Sequence, residues 1–320
     1  MKLGILTAVY EKLMLEPMLA KVAELGIEQI ELGTGGWPRS AHVSVDDLLA
    51  SKDCSREFLG TLSHFGCTIS ALSCHGNPIH PNPSIAARYD EAFRKSVLLA
   101  ERLGVPTVVT FSGCPGDAAA SKTPNWVTTP WPPEFGELLE WQWEKIAIPY
   151  WREAGEFARS HGVRVAIEAH PGFLVYNVET LHRLRNATSE AIGINFDPSH
   201  LYWQGMHIPT AIAALKGTIF NVHAKDVAFS RHNMDTNGVL DTKSYLRVSE
   251  RSWSFRTVGF GHGEVEWREI LSALRMAGYD GVVSIEHEDP LASTDEGVRM
   301  AVELLKRIMF REPAAEAWWV

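Results

Sequence analysis

The chain has 320 residues, of which 45% are hydrophobic and 22% charged, and its formal net charge is −9. This composition is typical of a folded globular protein and excludes intrinsic disorder over most of the length. The acidic balance argues against a protein that binds nucleic acid through its phosphates, and no apolar run approaches the roughly 18–20 residues of a membrane span.

Short apolar runs alternate with longer amphipathic segments along the chain. The runs that predict strands are 3–7, 27–32, 68–73, 105–111, 163–168, 191–196, 219–223 and 281–286. The segments that predict helices are 15–25, 44–65, 84–103, 137–161, 178–187, 209–216, 266–277 and 294–309. Most strand candidates are apolar at consecutive positions, as strands buried on both faces are. The eightfold alternation predicts an α/β fold, a single (β/α)8 TIM barrel.

The alternative fold is an open doubly wound sheet, but its phosphate-binding pattern G-x-G-x-x-G does not follow the first strand candidate. We therefore expect one barrel domain over residues 1–312. Two long loops, 112–136 after strand four and 227–260 after strand seven, are expected to lie over the face that carries barrel active sites. The remaining residues, 313–320, form a tail whose tryptophan pair at 318–319 we expect to pack on the barrel or on a partner.

The chain start and the cysteines bear on the compartment of the protein. The first residues run straight into a strand candidate, without the pattern of a signal peptide. The cysteines at 54, 67, 74 and 114 form no C-x-x-C pair. These features predict a cytoplasmic protein with reduced thiols.

Four successive late strands deliver side chains that can bind a metal ion. They end in, or are followed directly by, Glu168, Asp197, His223 and Glu286. The carboxyl ends of barrel strands meet at one face, so these side chains should lie together. Three carboxylates and one imidazole suit one divalent ion, Mn before Mg or Co, with Zn also possible. The alternative is an ion-paired barrel mouth that includes Lys225 and Arg256.

Four short motifs in this region resemble those of the xylose-isomerase-like superfamily. They are IEAHPG at 167–172, FDPSH at 196–200, HAKD at 223–226 and SIEHED at 284–289. Their order and placement make the chain similar to the sugar isomerases and epimerases of that superfamily. Within it, the chain resembles inosose isomerases, inosose dehydratases and ketose 3-epimerases. The resemblance covers nearly the whole chain and leaves the substrate open.

The resemblance implies roles for the residues that match those motifs. Glu168 and Glu286 match two glutamates that bind the metal and exchange protons with the substrate. Asp197 and His223 match two further metal ligands. His200, in the D-x-x-H step, matches a histidine that contacts the substrate.

Four more polar residues are candidates for substrate binding. Arg256 lies near the place where the family has an arginine on a substrate oxygen, although the preceding loop is longer here. Lys225 follows the metal-binding histidine in HAKD. His75 and His170 lie just beyond strand ends, where an imidazole could protonate a leaving group.

These roles imply a divalent-metal-dependent sugar isomerase or epimerase. A ketose would chelate the cation, which stabilises the enediolate formed when a carboxylate removes the proton next to the carbonyl. Returning the proton gives an isomer or epimer. Expelling a β-leaving group from the same enolate gives the main alternative, a lyase or dehydratase acting on a 3-keto-glycoside or keto-cyclitol. The extra histidines keep that alternative open. So does the tryptophan-rich segment with Trp126, Trp131, Trp141 and Trp143, which fits a bulky ring-bearing substrate or a subunit interface.

The superfamily also includes apurinic-site endonucleases with three zinc ions. Strand four ends in TFS at 110–112, where those nucleases have a zinc-binding histidine, and FRT at 255–257 replaces their D-x-H step. The nuclease reading is therefore the least favoured one. We expect a small sugar or keto-sugar as partner, with neither nucleic acid nor a membrane. The resemblance implies a homo-oligomer, with a hetero-oligomer as the alternative.

Overall fold

A closed barrel of parallel strands forms the centre of the molecule. The computed structural model describes residues 1–37, 39–315 and 319–320. Within them the strands are β1 Lys2–Leu6, β2 Gln29–Gly33, β3 Thr68–Ser73, β4 Thr107–Phe111, β5 Arg164–Glu168, β6 Ile192–Phe196, β7 Ile219–Ala224, β8 Asp226–Phe229, β9 Trp253–Arg256 and β10 Val282–Ile285. The barrel order is β1-β10-β7-β6-β5-β4-β3-β2. The predicted (β/α)8 barrel is thus confirmed.

Helices surround the barrel and cover the outer faces of its strands. In the described part of the chain they are α1 Leu15–Glu24, α2 Val45–Ala50, α3 Lys52–His64, α4 Pro83–Leu103, α5 Glu134–Trp141, α6 Ile148–Ser160, α7 Val178–Ala187, α8 Pro198–Tyr202, α9 Ile208–Ala214, α10 Arg231–Asn237, α11 Glu264–Met276 and α12 Thr294–Ile308. A π-helical turn, Gln142–Ala147, joins α5 to α6. None of these helices has the length and apolar character of a membrane-spanning segment.

The helix predicted over 44–65 is two helices, α2 and α3. Ser51 between them is extended, with φ −132° and ψ 127°, and its side chain accepts a hydrogen bond from the Cys54 N–H at 3.2 Å. A serine in this conformation caps a new helix, because its oxygen satisfies an amide that has no partner in the first turn. Local capping therefore overrides the continuous helical pattern.

The long segment after β7 is not a simple loop. β8 and β9 pair in antiparallel register, with Asp226 opposite Arg256 and Phe229 opposite Trp253. The helix α10 lies between them in the chain. We expected the segment 227–260 to be a loop. The small two-stranded sheet instead belongs to a hydrophobic cluster that includes Trp203, Trp253 and Phe255.

The last barrel helix, α12, ends at Ile308. Trp318 lies outside the described residues, and Trp319 is 72% exposed. The division of the chain at residue 312 and the packing of the tail therefore stay predictions. All four cysteines are free thiols, three of them buried.

Candidate active site

The four predicted metal ligands meet at the carboxyl end of the barrel. Glu168 is the last residue of β5, and His223 lies in β7. Asp197 follows β6 directly, and Glu286 follows β10. Each residue offers one ligand atom, and these atoms all lie within 4.8 Å of one another. The side chains thus form a group that can hold a metal ion.

Local sequence directs one oxygen of Asp197 into this group. Asp197 caps α8, and its Oδ1 accepts a hydrogen bond from the Ser199 N–H at 2.8 Å. Pro198 occupies the first turn, where a missing N–H costs nothing. The other oxygen, Oδ2, is buried and has no hydrogen-bond partner. The cap therefore leaves one carboxylate oxygen free for a cation.

The group fits a divalent cation by its own chemistry. Besides Asp197 Oδ2, the Oε2 atom of Glu286 is buried and makes no hydrogen bond, although both atoms have ion-pair contacts. Burying carboxylate oxygens whose hydrogen bonds are not satisfied is costly, and a bound cation lowers that cost. Lys225 supplies part of the counter-charge, because its Nζ lies 3.2 Å from Asp197 Oδ2 and 3.0 Å from Glu286 Oε2.

The environment separates the acidities of the three carboxylic acids. Burial and the negative charges of Glu286 and Glu168 raise the pKa of Asp197 to about 7, although the positive charge of Lys225 opposes this shift. Burial also favours the neutral form of Glu168, but the charge of His75 and hydrogen bonds from His200 and His223 outweigh it. The pKa of Glu168 therefore lies well below its ordinary value.

Glu286 is held as a carboxylate by a similar balance. Its burial favours the acid, but the charges of Lys225 and His223 prevail and lower the pKa. His223 Nδ1 lies 2.9 Å from Glu286 Oε2 and 3.3 Å from Glu168 Oε2. Both glutamates are therefore ionised near neutral pH and able to accept a proton.

The orientation of His223 depends on a buried glutamate to which the sequence analysis gave no role. His223 Nε2 lies 2.9 Å from Glu31 Oε1, so the ring donates to Glu31 and presents Nδ1 to the metal ligands. Glu31 also accepts hydrogen bonds from Ser73 and, at 2.9 Å, from Asn221 Nδ2. A carboxylate behind a metal-binding histidine fixes the tautomer and the ring orientation.

Replacing Glu31 with glutamine is expected to weaken metal binding by about 10–100-fold, the usual effect of losing such a carboxylate. The amide preserves size but removes the charge that holds the His223 ring. Chelator competition with Mn²⁺ measures the affinity. Glu28→Gln, an exposed position just before the same strand, is the matched control. An unchanged affinity in Glu31→Gln would show that Glu31 has no part in the site.

A cavity of about 200 Å³ opens beside the metal ligands, and we call it the mouth cavity. It is lined by Glu168 and Glu286 and by three of the predicted substrate-binding residues, His75, His170 and Lys225. His75 Nε2 lies 2.9 Å from Glu168 Oε2. Its volume is below the ~300–1,000 Å³ of drug-sized sites, so the mouth cavity suits a small molecule.

The two other predicted substrate-binding residues lie elsewhere. His200 Nε2 is 3.3 Å from Glu168 Oε1 and 3.2 Å from Asp197 Oδ2, so it contacts two of the candidate metal ligands. Arg256, in β9, is held through Nε by Asp289 Oδ2 at 3.1 Å. The contact that we expected between Arg256 and a substrate stays a prediction.

Together, the closed barrel and the carboxylate–histidine group at its mouth define a TIM barrel with a candidate metal centre. The chain belongs to the xylose isomerase-like TIM barrel family, whose model matches residues 19–308. This confirms the resemblance found in the sequence.

Relatives in this family carry the following names. The chain is 40% identical to the uncharacterized protein YfiH of Bacillus subtilis, over 96% of this chain and 99% of that protein. It is 26% identical to an inosose isomerase of Halalkalibacterium halodurans, over 63% and 67% of the two chains. It is 28% identical to an inosose dehydratase of Lacticaseibacillus casei, over 47% and 48%.

A solved structure extends the similarity of fold. The IolI protein with a bound zinc atom superposes with a TM-score of 0.65, at 20% identity, over 98% of this chain and all of the other. At this identity the likeness concerns the fold alone.

Proposed function

We propose that this protein is a divalent-metal-dependent sugar isomerase or epimerase that moves a proton next to a carbonyl group. The observation that carries the proposal is the pair Glu168 and Glu286. Glu168 is buried and the Glu286 side chain is 15% exposed; both are ionised, belong to the group of candidate metal ligands and line the mouth cavity. Such a pair can remove a proton and return one at the same bound molecule.

Glu168, Asp197, His223 and Glu286 would hold the metal ion. Mn fits a set of three carboxylates and one imidazole, and the zinc in the similar IolI structure makes Zn the second choice. When bound, the divalent cation acts as a Lewis acid that polarises a carbonyl and stabilises negative charge next to it.

The residues of the chain supply the proton transfers. One glutamate takes the proton from the carbon next to the carbonyl. The other, once it has taken up a proton from water, returns that proton to the resulting enediolate, and the first glutamate then releases its own proton to water. The hydrogen bond from His75 holds Glu168 in place. Lys225, whose Nζ faces Glu286 at 3.0 Å, adds positive charge where an oxyanion develops.

A lyase or dehydratase that uses the same first step is the second candidate, and His170 favours it. This imidazole lines the mouth cavity, and burial lowers its pKa against the charge of Glu168. Once it has taken up a proton, it could pass that proton to a departing hydroxyl or alkoxide. The similarity to an inosose dehydratase supports keeping this outcome.

Hydrogen exchange with solvent tests the proposal directly. The manganese-loaded protein would be incubated in deuterium oxide with ketoses, inososes and a 3-keto-glucoside, and each sugar analysed by mass spectrometry. Incorporation of deuterium next to the carbonyl is expected for a substrate. Clean epimerisation supports the first candidate, and release of water or an aglycone supports the lyase. Exchange that persists after complete metal removal contradicts the proposal.

Metal binding should be measurable without any substrate. We expect about one ion per chain, and Mn²⁺ at roughly 100 times its Kd should add about 2.7 kcal/mol of stability, or on the order of 5 °C in Tm. Binding should weaken below pH 7, because the proton on Asp197 must leave. Asp197→Ala should remove the shift, whereas Asp53→Ala, on the exposed face of α3, should keep it. Close to three zinc ions per chain would instead revive the nuclease reading.

A further inference from the structure

A second cavity with largely aromatic walls lies beside the mouth cavity, and we call it the aromatic cavity. Its volume is about 370 Å³, nearly twice that of the mouth cavity. Its walls include the rings of Trp126, Trp203, Tyr245 and Trp253. Cavities of this size and lining bind ring-sized ligands. The chemistry of the mouth cavity makes no use of this space.

Two histidines join the aromatic cavity to the metal-ligand group. His170 lines both cavities. His200 lines the aromatic cavity and also contacts Glu168 and Asp197, at 3.3 and 3.2 Å. The two imidazole rings meet at the junction, with centroids 4.0 Å apart. A molecule bound among the metal ligands therefore has the aromatic cavity as its immediate neighbour.

The wall formed by the segment between β8 and β9 is held in place by buried contacts. Arg251 is 1% exposed, and its guanidinium carbon lies 4.4 Å from the ring centroid of Tyr245 and 4.7 Å from that of Trp253. Asp241 accepts a hydrogen bond from the Ser252 N–H at 2.8 Å. A preformed wall spares a ligand the entropy cost of ordering it.

The lining of the aromatic cavity also disfavours a negatively charged ligand. Trp203 and Trp253 stack with centroids 4.8 Å apart and planes within 10°. Among the described residues that line the aromatic cavity, none is a lysine or an arginine. A phosphate or carboxylate in this cavity would lack a counter-charge, and burying an unpaired charge is costly. The carboxylate of Asp241 also lines the cavity, but it is already paired with Lys243 Nζ at 2.9 Å. The lining therefore suits an uncharged ring that packs against aromatic faces.

We infer that the substrate is an uncharged two-ring glycoside, with its carbonyl-bearing ring in the mouth cavity and its second ring in the aromatic cavity. The inference rests on the proposed function, because the reacting ring is placed by Glu168 and Glu286. The second ring is a sugar or an aryl group, which share an uncharged face that can pack against aromatic side chains.

Titration calorimetry on the manganese-loaded full-length protein tests the inference. The probes are analogues whose ring forms carry no carbonyl, so that they bind without reacting: methyl β-D-glucoside, which has one ring, and phenyl β-D-glucoside and cellobiose, which have two. We expect at least one two-ring probe to bind ten-fold more tightly than methyl glucoside. A gain for the phenyl probe identifies an aryl occupant, and a gain for cellobiose identifies a sugar. Equal affinities for all three overturn the inference.

Substitutions in the aromatic cavity test whether the tighter binding of two-ring probes arises there. Tyr245→Ala removes one wall at a half-exposed position, and Trp253→Phe is a milder change at a buried one. Both should cut the two-ring advantage at least five-fold and leave the affinity for methyl glucoside unchanged. Trp131→Ala, a 73% exposed tryptophan outside the aromatic cavity, is the control and should keep the advantage. An advantage that survives Tyr245→Ala and Trp253→Phe places the second ring elsewhere and overturns the inference.

The heat of binding is measured without turnover, so the inference and the proposed function fail separately. Deuterium exchange without a two-ring advantage refutes the second-ring site and leaves the function standing. A two-ring advantage without exchange on any carbonyl sugar supports the cavity assignment and refutes the function.

Discussion

Glu168→Gln and Glu286→Gln are each expected to lower catalysed deuterium exchange by about 10²–10⁴-fold, the range of a lost general base. An amide has nearly the size of the carboxylate but cannot take up a proton. The measured quantity is the rate of deuterium incorporation at saturating sugar.

Metal content must be measured on the same samples, because these glutamates are also candidate ligands. A variant that retains its ion and loses exchange has lost the proton acceptor, whereas a variant that loses both has lost the site. Glu269→Gln, the same chemical change on the exposed face of α11, is the control. Near-wild-type exchange in either active-site variant would refute the assignment of the two glutamates.

The barrel could be predicted because each strand is an apolar run long enough to be seen alone. The pair β8–β9 could not. These strands have four residues each, contain charged ends, and are separated by more than twenty residues, so no turn signal connects them. Their pairing is settled by tertiary contacts such as the packing of Trp253 on Trp203, which a local pattern does not contain.

The group of candidate metal ligands could be predicted for a related reason. Barrel geometry brings strand ends together, so Glu168, Asp197 and His223 needed no knowledge of side-chain contacts. The role of Glu31 depends on one specific contact with His223, 192 positions away in the chain. The position of Glu31 near the end of a strand candidate was the only signal, and that position does not identify the residue that it contacts.

The aromatic cavity illustrates the same limit. The tryptophan-rich loop suggested a bulky substrate or a subunit interface, but only Trp126 of its tryptophans lines the aromatic cavity. Trp143 is instead buried, at 1% exposure. The other aromatic rings of the cavity include Trp203, just after α8, and Tyr245 and Trp253, in the segment that contains β8 and β9. The spacing of these residues in the sequence does not show that they meet.

Lys225→Met is expected to lower the unfolding free energy of the metal-free protein by about 3–5 kcal/mol, the usual cost of breaking a buried ion pair from one side. The Lys225 side chain is 2% exposed, and its Nζ lies within 3.2 Å of Asp197 and 3.0 Å of Glu286 and Glu288. Burial opposes its charge, but these carboxylates keep the pKa of Lys225 well above its ordinary value. Methionine fills similar space and leaves their negative charges uncompensated.

The same change is expected to tighten Mn²⁺ binding at least ten-fold, because a divalent ion no longer competes with a cation 3.0 Å from Glu286 Oε2. Chemical unfolding with and without Mn²⁺ would measure both effects, and the metal should restore more stability to the variant than to the wild type. Lys216→Met, at an exposed position after α9, should change neither quantity.

Two outcomes would contradict this prediction. If Lys225→Met is as stable as the wild type without metal, the barrel mouth tolerates a cluster of carboxylates without a counter-charge, and these carboxylates give no electrostatic reason for a resident cation. If the variant is destabilised but binds Mn²⁺ no more tightly, Lys225 is a structural partner of these carboxylates and the ion binds elsewhere.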